Sequence, residues 1–124
     1  AQTAPGHTDL ALILNNLGAM YMLKADWPQA EARLQRALEI WEQTLGPNHP
    51  NLARALTNLG RVYNGKGDPA KAKSSLQRAL TIRERELGTE HPQLFGTLLN
   101  LGSLAFEERD LAQAEAYYQR IVPI

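Results

Sequence analysis

Three histidines, His7, His49 and His91, recur at a constant step of 42 residues. A histidine triplet is one way to hold zinc, whose nitrogen ligands must come within about 2.1 Å of the ion. Each of these histidines falls at the same place in a different copy of a repeated unit. Packed helices lie about 8–10 Å apart, so the three cannot share an ion. They read instead as helix N-caps, set before Pro50 and Pro92 in the second and third copies. The carboxylates Glu107, Glu108 and Asp110 could serve acid–base chemistry, but they crowd one turn, and Asp110 reads as a helix cap. There is no cysteine, which removes thiolate nucleophiles, disulfides and thiolate metal sites. No Ser-His-Asp spacing and no glycine-rich phosphate loop is present. Tyr117 and Tyr118 could stack on bases, but they lack the basic surround that nucleic acid requires. The chain reads as a non-enzyme without cofactor, metal or nucleic-acid partner.

The residues better suited to chemistry are Arg54, Asn58 and Arg61. Their i, i+4, i+7 spacing puts them on one helical face. Guanidinium forks grip carboxylates in bidentate fashion, and an amide both donates and accepts, as a peptide bond does. The matching positions are Leu12, Asn16 and Ala19 one copy earlier, and Gly96, Asn100 and Ser103 one copy later. The strip is thus apolar at one end, basic in the middle and open at the other. Residues 46–87 carry 8 basic and 3 acidic side chains, within a chain of zero net charge. A positive middle can steer an acidic ligand to the centre, although ordinary solvated arginines would give the same count. Met22, Leu23 and Phe106 are candidates for apolar pocket walls, against the plainer reading that they belong to the core.

These residues are positioned by an internal repeat. Asn16-Leu17-Gly18 returns as Asn58-Leu59-Gly60 and as Asn100-Leu101-Gly102, and residues 4–45 match 46–87 at 20 of 42 positions. Such a period is the signature of a solenoid whose units complete one another's core. Within each unit the pattern predicts two helices. The first begins near Thr8-Asp9 in the first unit and carries Leu10, Leu14, Leu17 and Tyr21 as one apolar stripe. The second follows Asp26 as N-cap and buries Ala30, Leu34, Ala37, Leu38, Trp41 and Leu45. Glycine in mid-helix costs about 1 kcal/mol relative to Ala, so Gly18, Gly60 and Gly102 imply a close helix crossing. In the second unit Leu52, Leu56, Leu59 and Tyr63 face Ala72, Leu76, Ala79, Leu80 and Leu87.

The set Leu-x-Asn-Leu-Gly-x-x-Tyr, Gly-Asp-x-x-x-Ala, Arg-Ala-Leu-x-Ile and Leu-Gly-x-x-His-Pro resembles the tetratricopeptide repeat (TPR). The 42-residue period is similar to that of kinesin light chains; the common form has 34 residues. The resemblance implies an all-α, right-handed α-solenoid of three helical hairpins, with repeats at 8–45, 50–87 and 92–124 of one domain spanning 8–124. It also implies a concave groove lined by the first helices, holding a segment of a partner protein. By that analogy Asn16, Asn58 and Asn100 line the groove; each could instead bond a neighbouring helix and stitch the repeats together. The expected function is peptide recognition, with an acidic segment as ligand. The alternative is an architectural scaffold whose repeats stack end to end.

The third repeat departs from the pattern. Ala105 stands where Tyr21 and Tyr63 stand, Ile121 where Ala37 and Ala79 stand, and Pro123 should end the last helix near Arg120–Ile121. The apolar tail Ile121–Ile124 suggests that this edge is covered by another subunit or by neighbouring repeats of a longer parent chain. Residues 1–7 read as a polar linker, the alternative being a mature start after a removed signal peptide. No apolar run approaches the roughly 20 residues of a membrane span. No membrane partner and a cytoplasmic location are expected.

Overall fold

Asp26, Asp68 and Asp110 each accept a hydrogen bond from the backbone N–H three residues on, at 3.2–3.3 Å. Each thereby starts the second helix of a hairpin, by satisfying one of the N–H groups that a helix start leaves open. The computed structural model describes the backbone of residues 3–123 and side chains from residue 9 onward. It consists of α1 (Thr3–Leu23), α2 (Trp27–Leu45), α3 (Pro50–Lys66), α4 (Pro69–Leu87), α5 (Phe95–Glu107) and α6 (Leu111–Ile121). The described residues contain no strand. Helices pair as α1/α2, α3/α4 and α5/α6, and the hairpins stack through α2/α3 and α4/α5. This is the all-α helical repeat expected from the sequence.

Histidine capping holds where side chains are described. His49 Nδ1 accepts from Asn51 N–H at 3.0 Å, and His91 Nδ1 accepts from Gln93 N–H at 3.1 Å. The His7 side chain lies outside the described residues. Repeat three opens with a 3-10 turn at Pro92–Leu94, a common form at a helix start.

The first helix differs from its expected start. It begins at Thr3, ahead of Thr8-Asp9. Pro5 is no obstacle there, because the first four N–H groups of a helix have no intrahelical acceptor to lose. Its buried line also shifts. Ala11, Asn15, Gly18 and Met22 are buried, while Leu14, Leu17 and Tyr21 are half-buried and Leu10 is exposed. In repeat two Leu52, Leu56, Leu59 and Tyr63 are all buried, because α2 packs across α3 and supplies their second wall.

The motif glycines have the packing reason their recurrence implied. A Cβ on Gly18 would stand 2.5 Å from Leu34 Cγ, and one on Gly60 would stand 2.6 Å from Leu76 Cγ. In repeat three the partner of Gly102 is the Tyr118 ring. The turn between paired helices needs a left-handed residue, which Gly67 supplies in repeat two, whereas Ala25 (φ 58°) and Arg109 (φ 66°) supply it in the others. The last helix ends at Ile121, where Pro123 blocks its continuation.

Candidate functional site

Asn58 is half-buried, and its Nδ2 donates to Asn15 Oδ1 at 3.4 Å. Asn15 is itself buried on α1, so this amide joins two first helices as the stitching alternative described. Asn100 is placed differently. It lines a cavity of about 50 Å³ with Arg61, Asn64 and Ser103, floored by Gly60 and Leu76. The Arg61, Asn64 and Asn100 side chains make no hydrogen bond to any described residue, while Ser103 Oγ accepts one from Tyr118 at 3.3 Å. Asn16 is exposed on α1.

Arg54 lines a second cavity, of about 210 Å³, between the start of α3, the end of α4 and the 3-10 turn. Arg83 enters from α4 and donates from Nη1 to the Gln93 carbonyl at 3.2 Å. Burial, and then the charge of Arg54, push the Arg83 guanidinium below its usual range. The structure therefore divides the arginine strip: Arg61 sits with Asn100, and Arg54 with Arg83. Arg83 does not stand out in the sequence, because it lies on a different helix from the strip. The available signal was its register, since it occupies the position of Trp41.

Two of the proposed pocket walls fall elsewhere. Met22 is buried in the core with Leu34, Leu59 and Tyr63, because its face of α1 is covered by the next hairpin. Phe106 is exposed and lines a cavity on the outer side of repeat three with Leu111, Tyr118 and Val122. It is not brought to the Asn100–Arg61 site. Leu23 is exposed as well.

The surrounding helices are held in register by contacts that repeat. Arg78 Nη2 donates to Glu42 Oε2 at 2.7 Å and to the Pro47 carbonyl at 3.4 Å. Arg120 makes the equivalent bonds to Glu84 and the Thr89 carbonyl. Gln35 donates to the Tyr63 hydroxyl at 2.8 Å, and burial raises the pKa of that phenol. Repeat three has Ala105 in place of this tyrosine, and Tyr117 from α6 accepts the bond from Gln77 instead, at 3.5 Å.

The family profile of the tetratricopeptide repeat matches residues 9–85 and 63–124. The chain belongs to the tetratricopeptide repeat family. No curated protein matches it. Among solved structures, it is similar to BtubC (BKLC) from P. vanneervenii at 31% identity and a TM-score of 0.82, covering 90% of this chain and 44% of that one. It is also similar to the TPR domain of Arabidopsis FLU, at 17% identity and a TM-score of 0.83, covering 94% and 95% respectively. A third similar structure is a Podosopora anserina chain described as a kinesin light chain with nearly identical TPR-like repeats. There the identity is 21% and the TM-score 0.82, over 95% of this chain and 56% of that one. The chain thus spans about half the length of the first and third of these. TPR domains are protein-interaction modules and typically non-catalytic. Among the described residues no helix is long and apolar enough to cross a membrane.

Proposed function

We propose that this TPR domain captures an extended segment of a partner protein along the face shared by α1, α3 and α5, with Arg61 and Asn100 as its central contacts. The observation that carries this reading is the cavity where Arg61, Asn64 and Asn100 converge with no hydrogen-bonding partner among the described residues. A peptide backbone offers the carbonyls and N–H groups that such a set can bind. A carboxylate in the segment would match the basic middle repeat. Arg54 extends the same line of contact, whereas Asn58 acts through its bond to Asn15. A benzophenone-bearing residue in place of Asn64 should crosslink to a bound peptide. One in place of the exposed Gln43 on α2 should not, and the reverse result would refute the placement.

A second reading, self-association by end-to-end stacking, is favoured by one comparison. Leu52, Ala55 and Val62 are each 0% exposed beneath α2, yet their counterparts Leu10, Ile13 and Met20 on the outer face of α1 are 41%, 56% and 41% exposed. Exposed apolar faces of this kind mark contact surfaces. Sedimentation of the chain beside Ile13→Glu tests it: a larger wild-type species lost in the variant supports stacking, and two identical monomers refute it.

A further inference from the structure

Repeats one and two diverge sharply at one pair of equivalent positions. Where repeat one has Leu12 and Trp41, repeat two has Arg54 and Arg83. Trp41 is fully buried and fills its junction with apolar surface. At the next junction the two arginines instead border an open space of about 210 Å³. Neither is ion-paired with a described residue. Glu86 lines the same space but lies beyond salt-bridge distance of both. Two guanidinium charges beside one carboxylate leave a local surplus of one positive charge. Arg83 is half-buried and anchored by its bond to Gln93, so less side-chain freedom remains to be lost on binding.

We infer that this cavity is a subsite for a single acidic side chain of the bound segment, gripped between Arg54 and Arg83. The assignment rests on the peptide-capture reading and deepens it. The surplus of one charge suits a monoanionic carboxylate, and the two forks offer it bidentate hydrogen bonds. Arg54 and Arg61 are seven residues apart on α3, about 10 Å along the helix. An extended chain advances about 3.3 Å per residue, so acidic residues three positions apart reach both arginines. The segment's signature is therefore an acidic residue, two others, and a second acidic or polar residue.

The probe is acetyl-Glu-Ala-Ala-Glu-amide, titrated by NMR into the full chain beside analogues with glutamine at the first or the fourth position. One of the two single replacements should weaken binding about tenfold in the wild type, as loss of a charge-assisted pair does. In Arg83→Trp, which installs the residue of repeat one, and in Arg83→Gln, that same replacement should change binding less than about twofold. Two variants of different size separate loss of the charge from misfolding. If both retain the acid preference, the cavity assignment fails while groove capture stands. Equal binding of the acidic and amide peptides by the wild type, or no binding of either, also overturns it. Peptide capture itself is judged separately, by the Arg61→Ala/Asn100→Ala variant described below.

Discussion

The Arg78 guanidinium reaches back one repeat to Glu42, 2.7 Å away, and ties the second hairpin to the first. Arg120 repeats the contact with Glu84. Each arginine also bonds a carbonyl in the loop ahead of its own hairpin's first helix, so the pair clips loop and helix together. Arg36, the equivalent residue of the first hairpin, pairs with Glu39 on its own helix, 3.6 Å away.

Because the Arg78–Glu42 pair is partly solvated, its worth is modest. Double-mutant cycles on Arg78→Met and Glu42→Gln should give a coupling of about 0.5–1 kcal/mol, shrinking at high salt. A coupling near zero at low salt would remove the clip from the account of repeat stacking.

Gly60→Ala opposes helix propensity to packing. Propensity alone favours Ala by about 1 kcal/mol. The added Cβ, however, would lie 2.6 Å from Leu76 Cγ in a buried crossing, and overpacking costs about 1–3 kcal/mol. The expected outcome of chemical denaturation is net destabilisation; a net gain would mean that α3 and α4 separate freely.

Ala25 and Arg109 hold the left-handed turn that Gly67 holds in repeat two. A side chain there costs about 1–2 kcal/mol, partly offset by the entropy that glycine loses on folding. Ala25→Gly and Arg109→Gly should each stabilise the chain by about 0.5–1 kcal/mol. Thermal unfolding reads this as a rise in Tm, and a fall would show that these turns carry no strain.

Much of the fold was legible because solenoid repeats make local rules recur. The Leu-Gly pairs, the aspartate caps and the histidine caps each depend on neighbours within one hairpin. What escaped depends on stacking. The burial of Met22 and the exposure of Leu10 follow from whether a hairpin lies against that side of α1. The Asn58–Asn15 bond joins residues 43 apart in sequence, and nothing in either helix alone distinguishes it from groove contact. Tyr117 substitutes for a tyrosine missing at Ala105 from another helix altogether. Of the candidate site, the i, i+4, i+7 spacing puts Arg54 and Arg61 on one helical face, but it does not reveal that they line separate cavities. The register of Arg83 with Trp41 can be read from the sequence, but that it shares a cavity with Arg54 emerges only from the packing of α3 against α4.

The bond of Asn58 to Asn15 decides which side chains a test of peptide capture can remove. On sequence grounds Asn58→Ala with Arg61→Ala should be nearly neutral for stability. Removing Asn58 would instead leave the buried Asn15 amide short of a partner, at a cost of about 1–3 kcal/mol. Arg61→Ala with Asn100→Ala avoids this, since neither side chain bonds a described residue.

Capture at Arg61 and Asn100 is tested by a peptide array that samples acidic and neutral sequences, probed with the wild-type chain and with this double variant. The wild type should select a set of acidic peptides, and the variant should melt within about 0.5 kcal/mol of it yet lose the selected peptides. A folded variant that retains the same peptides, or a wild type that selects none, would contradict capture at Arg61 and Asn100.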